Sequence, residues 1–150
     1  FAWASLVIAG LGITNTLAKR GAILDGSELF GRAFEHFIIN EVRAFLSYAR
    51  VDLEMQYWRS TSQFEVDLVL GKQMAIEIKS TNLATDKHLK GLRALKEEQL
   101  VRDYVLVSRD SEMRRTHDNI VVYPWQEFLT LLWQGKFIQP VAPLGLYPTS

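Results

Sequence analysis

Asp67, Glu77 and Lys79 are the residues of this sequence whose types and spacing best suit chemistry. Phe64–Leu70 and Met74–Lys79 each alternate apolar and polar side chains, as strands do, and Gly71-Lys72 between them reads as a tight turn. Asp67 and Glu77 then fall on consecutive strands, on the faces that carry the polar residues, and a hairpin brings such faces together. Two hard oxygen ligands in close reach suit Mg²⁺, which takes one or two carboxylates and keeps most of its water. Lys79 lies two residues beyond Glu77 on the same face, where an ammonium can orient a water or stabilise charge building on a phosphate. Together the three fit metal-assisted phosphodiester hydrolysis. The same alternation also describes a solvated sheet face laced with ion pairs of little energetic value, and the strand residues alone leave both readings open.

The element that precedes the hairpin supplies a fourth acid. Asp25-Gly26-Ser27-Glu28 is a helix start, with Asp25 or Ser27 as the cap, and the helix is predicted to run to about Ala49. Phe30, Phe34, Phe37, Ile38, Val42, Phe45 and Leu46 fall on one arc of that helix, with Arg32, His36, Asn40, Arg43 and Arg50 opposite. Glu35 and Glu41 project within the apolar arc. A buried carboxylate without a partner costs several kcal/mol, so each is expected to meet a cation, a donor or a metal. Glu35 is therefore a candidate further ligand for the hairpin site.

The remaining elements are predicted as follows. Leu53–Arg59 is a first strand ahead of the hairpin. A helix spans Asp86 to Gln99 with Leu89, Leu92 and Leu95 as its stripe, and Asp103–Ser108 is a continuous apolar run, as in a strand covered on both faces. A polar loop, 109–119, leads to a short strand, Ile120–Tyr123, and Pro124 opens a last helix, Trp125–Trp133. The order is helix, three strands, helix, strand, strand, helix. The expected class is therefore α/β (α+β), a mixed central sheet flanked by helices.

Composition bounds the alternatives. The 150 residues include 17 Lys and Arg against 17 Asp and Glu, 48% hydrophobic residues and no cysteine. That length and apolar content suit one core and exclude a disordered or collagen-like chain. Without cysteine there is no disulfide framework, thiolate zinc site or cysteine nucleophile, and a reducing, cytoplasmic setting is the simpler expectation. Phosphate-loop, dinucleotide and nucleophile-elbow motifs are all missing, and His36, His88 and His117 share no metal-ligand spacing. The uncharged run Phe1–Ala18 is too polar for a membrane span of about 20 apolar residues and lacks the basic flank of a signal peptide.

The helix with its glutamate, followed by Asp67-x₉-Glu77-x-Lys79, resembles the PD-(D/E)XK nuclease superfamily, whose core is helix, three strands, helix, strand. Phe34-Glu35, Glu65-Val66-Asp67 and Glu77-Ile78-Lys79 stand where that pattern puts them, with Val66 in place of the proline. Gly31-Arg32-Ala33-Phe34-Glu35-His36-Phe37, Tyr57-Trp58-Arg59, Phe64-Glu65-Val66-Asp67, Ala75-Ile76-Glu77-Ile78-Lys79-Ser80 and Leu89-Lys90-Gly91-Leu92 further resemble the nuclease-like C-terminal domain of a large prokaryotic group of AAA-type ATPases. The likeness covers about Leu11 to Trp133. It implies a restriction-endonuclease-like core, with Asp67 and Glu77 as Mg²⁺ (or Mn²⁺) ligands and the Ile78 carbonyl beside them. It also implies Lys79 as the catalytic lysine, Glu35 as an auxiliary acid, and DNA as substrate. An ATPase region in cis would lie outside this chain.

On that reading 1–24 is a remnant of an upstream region, 25–136 the nuclease-like domain and 137–150 an extended tail. No membrane is involved, and self-association is left open. Two other classes are weighed beside the enzyme: a non-catalytic module of the same fold that binds nucleic acid or regulates its ATPase, and a protein-docking domain that uses the uncharged N-terminal segment. Lys87, Lys90 and Arg93 on the second helix are weak candidates to track a phosphate backbone, against a solvated face with Asp86/Lys90 and Arg93/Glu97 pairs. Trp58-Arg59 is a weak nucleotide contact, with core packing the alternative for Trp58. Arg114-Arg115 either meets DNA or faces water. Overall neutrality predicts that any grip on nucleic acid is weak without a partner region.

Overall fold

Ser27 starts the first helix. Its backbone is extended (φ −71°, ψ 156°) and its Oγ accepts from the Phe30 amide at 3.1 Å, while Glu28 occupies the first turn. The computed structural model describes residues 27–140. Asp25, the alternative cap, the run Phe1–Ala18 and most of the predicted tail lie outside the described residues. Helix α1, Glu28–Tyr48, buries Phe34, Ile38, Glu41, Val42, Phe45 and Leu46 along one stripe. It closes in a Schellman arrangement: Arg50 takes a left-handed φ of 55°, its amide donates to the Ser47 carbonyl, and the Val51 amide reaches back to Leu46.

Three antiparallel strands follow, β1 (Met55–Arg59), β2 (Glu65–Leu70) and β3 (Met74–Ile78). Gly71, at φ 49°, turns β2 into β3, and the Gln73 amide closes on the Leu70 carbonyl at 2.9 Å. A 3₁₀ turn at Asp86–Leu89 leads into α2 (Lys90–Glu97), which carries the chain across to β4 (Asp103–Ser108), parallel to β3. Two-residue β5 (Arg114–Arg115) pairs with β6 (Val121–Pro124), so the expected polar loop contains a short edge strand. β6 runs parallel to β4, and Pro124 caps α3 (Trp125–Trp133). The sheet order is β1-β2-β3-β4-β6-β5, the mixed central sheet flanked by helices that the pattern predicts.

Two cores cover the two faces. On one, α1 and α3 pack against Leu68, Leu70, Met74, Ile76, Ile78, Val105 and Val107. On the other, Leu89, Leu92 and Leu95 pack against Val66, Val69, Ala75, Tyr104, Leu106 and Val122. β4 contributes to both, which is why it reads as an unbroken apolar run. Each such fully buried Leu, Ile or Phe contributes about 1.5–3 kcal/mol by leaving water. Glu41 is buried in the first core and accepts from the Trp133 indole N–H at 3.0 Å, the donor its position requires. The segment predicted as tail begins inside this core, with Phe137 stacked on Phe128 at 5.2 Å and Ile138 buried. Among the described residues, no helix is long and apolar enough to cross a membrane.

β2 departs from the clean alternation expected for Phe64–Leu70. Leu68 and Leu70 face α1, but Val66 sides with Val69 against α2. The β1–β2 register explains it: Gln56 opposes Val69 while Trp58 opposes Val66, so Asp67 and Leu68 together face Tyr57. That is a β-bulge, and one extra residue flips every side chain beyond it to the opposite face.

Candidate active site

The bulge sits at Asp67, where the regular β2–β3 ladder ends. Leu68 and Ile76 are the last residues in register, and beyond them side chains complete the pairing. The Asp67 amide donates to Glu77 Oε2 at 3.3 Å, and the Ile78 amide donates to Asp67 Oδ2 at 2.8 Å. Each carboxylate thereby caps the other strand. Lys79 Nζ lies 2.6 Å from Glu77 Oε1, and its side chain is 40% exposed where that of Glu77 is nearly covered. The Lys79 amide continues the sheet by donating to the Val107 carbonyl. The group therefore stands at the C-terminal end of β3, beside that of β4, the end at which open α/β sheets place ligands.

Burial shapes the electrostatics. Glu77, 6% exposed, has its carboxyl pushed up to about 7 by loss of hydration and then by the neighbouring Asp67 charge, against the pull of Lys79. Asp67 is raised chiefly by burial, with the Ile78 amide and Lys79 opposing. Burial works against the Lys79 ammonium, but the charges of Glu77, Asp67 and Glu35 outweigh it and hold its pKa above the ordinary lysine value. Glu35, half-buried on α1, is raised by burial and by Asp67, while Lys79 lowers it.

Asp67, Glu77 and Lys79 are thus brought together, and Glu35 approaches from the helix within their electrostatic reach. Among the described residues, no group of three or more His, Asp or Glu side chains forms a metal cage. The pair itself suits a hard divalent ion. Both donors are carboxylate oxygens, and the Ile78 backbone stands beside them; Mg²⁺ needs only one or two carboxylates, with water for the rest.

The weaker candidates separate. Arg93 ion-pairs with Asp118 at 2.7 Å and Asp86 at 3.1 Å, in place of the i, i+4 partner Glu97. Arg59 pairs with Glu65 at 3.4 Å and hydrogen-bonds Gln63, and Trp58 packs against the second core. Lys87 and Lys90 are exposed and make no ion pair among the described residues. Arg114 is fastened inward, to Asp110 and to the Ala84 carbonyl, and Arg115 donates to Asn119.

One buried cluster is absent from the sequence reading. Asp110, 5% exposed, accepts from Ser108 Oγ at 2.5 Å, from the Ala84 amide at 2.9 Å and from Arg114 at 2.5 Å. These donors hold its carboxyl below the ordinary aspartate range despite its burial. The cluster ties the loop after Lys79 to the end of β4. From the end of β4, Arg109 reaches Asn82 on that loop at 2.7 Å and lies over the Phe30 ring at 4.8 Å, joining the loop to α1. Ser108-x-Asp110 at the end of an apolar strand is the only trace of this cluster in the sequence.

Fold and site together define a small three-layer α/β/α domain with an acidic pair and a lysine at the end of a mixed sheet. Residues 30–128, two thirds of the chain, match the family described as domain of unknown function DUF4143, and the chain belongs to that family. Domains of this family are typically found with AAA ATPases. Comparison with curated proteins gives no match, and neither does comparison with solved structures.

Proposed function

We propose that this domain is a PD-(D/E)XK-type, Mg²⁺-dependent nuclease module that hydrolyses DNA phosphodiesters beside an AAA-type ATPase region. The observation that carries the reading is the Asp67–Glu77–Lys79 group, assembled at a β-bulge and held by hydrogen bonds from the Asp67 and Ile78 amides. Asp67 and Glu77 would hold the ion, with the Ile78 carbonyl adjoining. When bound, such an ion supplies Lewis-acid neutralisation of the phosphate. Lys79, half-exposed, swings from Glu77 to a non-bridging phosphate oxygen or to the attacking water and stabilises the charge that builds there. Glu35, its carboxyl raised by burial and by Asp67, is the proton-exchanging group at the rim.

The same observation supports a second reading from a different class. Lys79 closed onto Glu77 also suits a non-catalytic module that binds nucleic acid or regulates its ATPase. Incubation of single- and double-stranded DNA, and RNA, with Mg²⁺ or Mn²⁺ separates the two. Metal-dependent cleavage that Glu77→Ala and Lys79→Ala both abolish supports the nuclease. Nucleic-acid binding without cleavage, unchanged in both variants, would overturn it.

A further inference from the structure

At the opposite end of the sheet from the carboxylates, a cavity of about 460 Å³ opens against the first residues of β3, β4 and β6. Met74 begins β3, so at about 3.3 Å per residue the cavity lies roughly 10–15 Å from the Glu77–Lys79 group. Among the described residues, Lys96, Arg102, Arg115 and Lys136 line it against a single carboxylate, Asp103. That concentration stands out in a chain with no net charge.

The local partners of these cations leave most of their charge in place. Lys96 donates to the Asp118 backbone carbonyl and Arg115 to the Asn119 side-chain oxygen at 2.6 Å, both neutral acceptors. Among the described residues, only Arg102 of the four meets a carboxylate, Asp103 at 2.8 Å. Lys136 makes no ion pair among the described residues. Cations ringing a low-dielectric concavity focus positive potential into it. Apart from Asn119 the rest of the wall comes from apolar and aromatic residues, with Leu131 beside Tyr123 and Phe137, whose rings meet edge-to-face at 5.5 Å. Such a surface receives a planar ring. The volume lies within the range of about 300–1,000 Å³ typical of small-molecule pockets.

We propose that this cavity binds a phosphate-bearing small molecule of mononucleotide size. Its phosphates meet Arg102, Arg115 and Lys136, and its ring rests on the Tyr123–Phe137 wall. A nucleic-acid strand would require a basic track leading away from the cavity. Arg93, the nearby cation on α2, is instead neutralised by Asp118 and Asp86. The site is independent of the carboxylate group and of the nuclease reading.

Titration calorimetry on the 150-residue chain in EDTA, with ADP, adenosine, inorganic phosphate and a single-stranded oligonucleotide as probes, tests it. ADP is expected to bind, inorganic phosphate to compete with it, and adenosine to bind at least about tenfold more weakly, since charge-assisted phosphate contacts carry the affinity. Arg115→Ala/Lys136→Ala is expected to weaken ADP about tenfold or more, and the charge-preserving Arg115→Lys/Lys136→Arg to restore most of the binding. Both positions are exposed, so the fold is retained, checked by circular dichroism. Glu77→Ala is expected to bind ADP as the parent chain does. Absence of ADP binding up to about 10 mM, above any affinity of use, overturns the proposal. So does ADP binding unchanged in the alanine pair. Oligonucleotide binding that the same pair abolishes, without ADP binding, overturns it in favour of a nucleic-acid surface.

Discussion

The carboxylate of Asp67 accepts a hydrogen bond from the amide of Ile78 at 2.8 Å, standing in for a backbone carbonyl across the open end of the β2–β3 hairpin. One side chain therefore serves the sheet and, on our reading, the metal. The two roles separate by substitution. Asp67→Asn keeps an oxygen acceptor for the Ile78 amide but removes the charge. Asp67→Ala removes both and leaves the amide without its acceptor, a loss of about 1–3 kcal/mol. Urea denaturation is expected to place Asn close to the parent chain and Ala below it, while both lose metal-dependent cleavage.

Gly91 sets how closely α2 lies on β2. A Cβ at this position would stand 1.9 Å from the Glu65 carbonyl oxygen, a backbone atom that cannot move aside cheaply. Glu65 is two residues from the bulge, so the contact also locates Asp67. Gly91→Ala is expected to destabilise the domain by about 3 kcal/mol or more, despite the better helix propensity of alanine, because overpacking outweighs the gain. Chemical denaturation measures it. An unchanged midpoint would show that the helix and strand are not in this contact.

Much of this architecture is legible in the sequence, for identifiable reasons. α1, β4 and α3 declare themselves because burial imposes a period on one and an unbroken apolar run on another, and because Pro124 marks the start of the third. The convergence of Asp67, Glu77 and Lys79 follows from alternation and a glycine turn. What alternation cannot convey is the bulge, since the residues that slip are apolar on both sides of it and Val66 suits either core. Pairings between distant positions are hidden as well. Arg93 reads locally as a partner of Glu97 and in fact pairs with Asp118, 25 residues on. The Asp110 cluster depends on an alanine amide and a half-exposed arginine, and no local pattern announces either. Arg50, Gln63, Gln99 and Asn119 take left-handed backbone without the glycine that would mark the turn.

Asp110 stabilises the loop that follows Lys79. It is buried and collects donors from Ser108, Ala84 and Arg114, so replacing it by alanine orphans a buried hydroxyl and an amide. Arg114 is partly exposed and recovers some hydration, which limits the loss. Asp110→Ala is expected to cost about 2–4 kcal/mol, and Asp110→Asn less. Hydrogen exchange is the sharper readout: protection is expected to fall first at Ala84 and then through the loop, before β4 itself opens. A uniform fall across the domain would mean that the cluster stabilises the whole fold and not this loop.

Glu77 ties stability and metal affinity to pH in opposite senses. Its carboxyl is raised from the ordinary 4.5 to about 7 in the folded, metal-free chain. Between those values the native state holds a proton that the unfolded state has released, so stability is fully present below about 4.5 and declines as pH rises through 7. Raised Asp67 and Glu35 act in the same direction. A divalent ion competes with that proton, so Mn²⁺ affinity is expected to rise about tenfold per pH unit below 7 and to level off above it. Glu77→Gln removes the titrating group, and is expected to flatten the stability profile and weaken the ion at every pH. Thermal unfolding from pH 4.5 to 8, with and without Mn²⁺, measures both. A stability profile of equal slope in the parent chain and Glu77→Gln would place the raised carboxyl elsewhere.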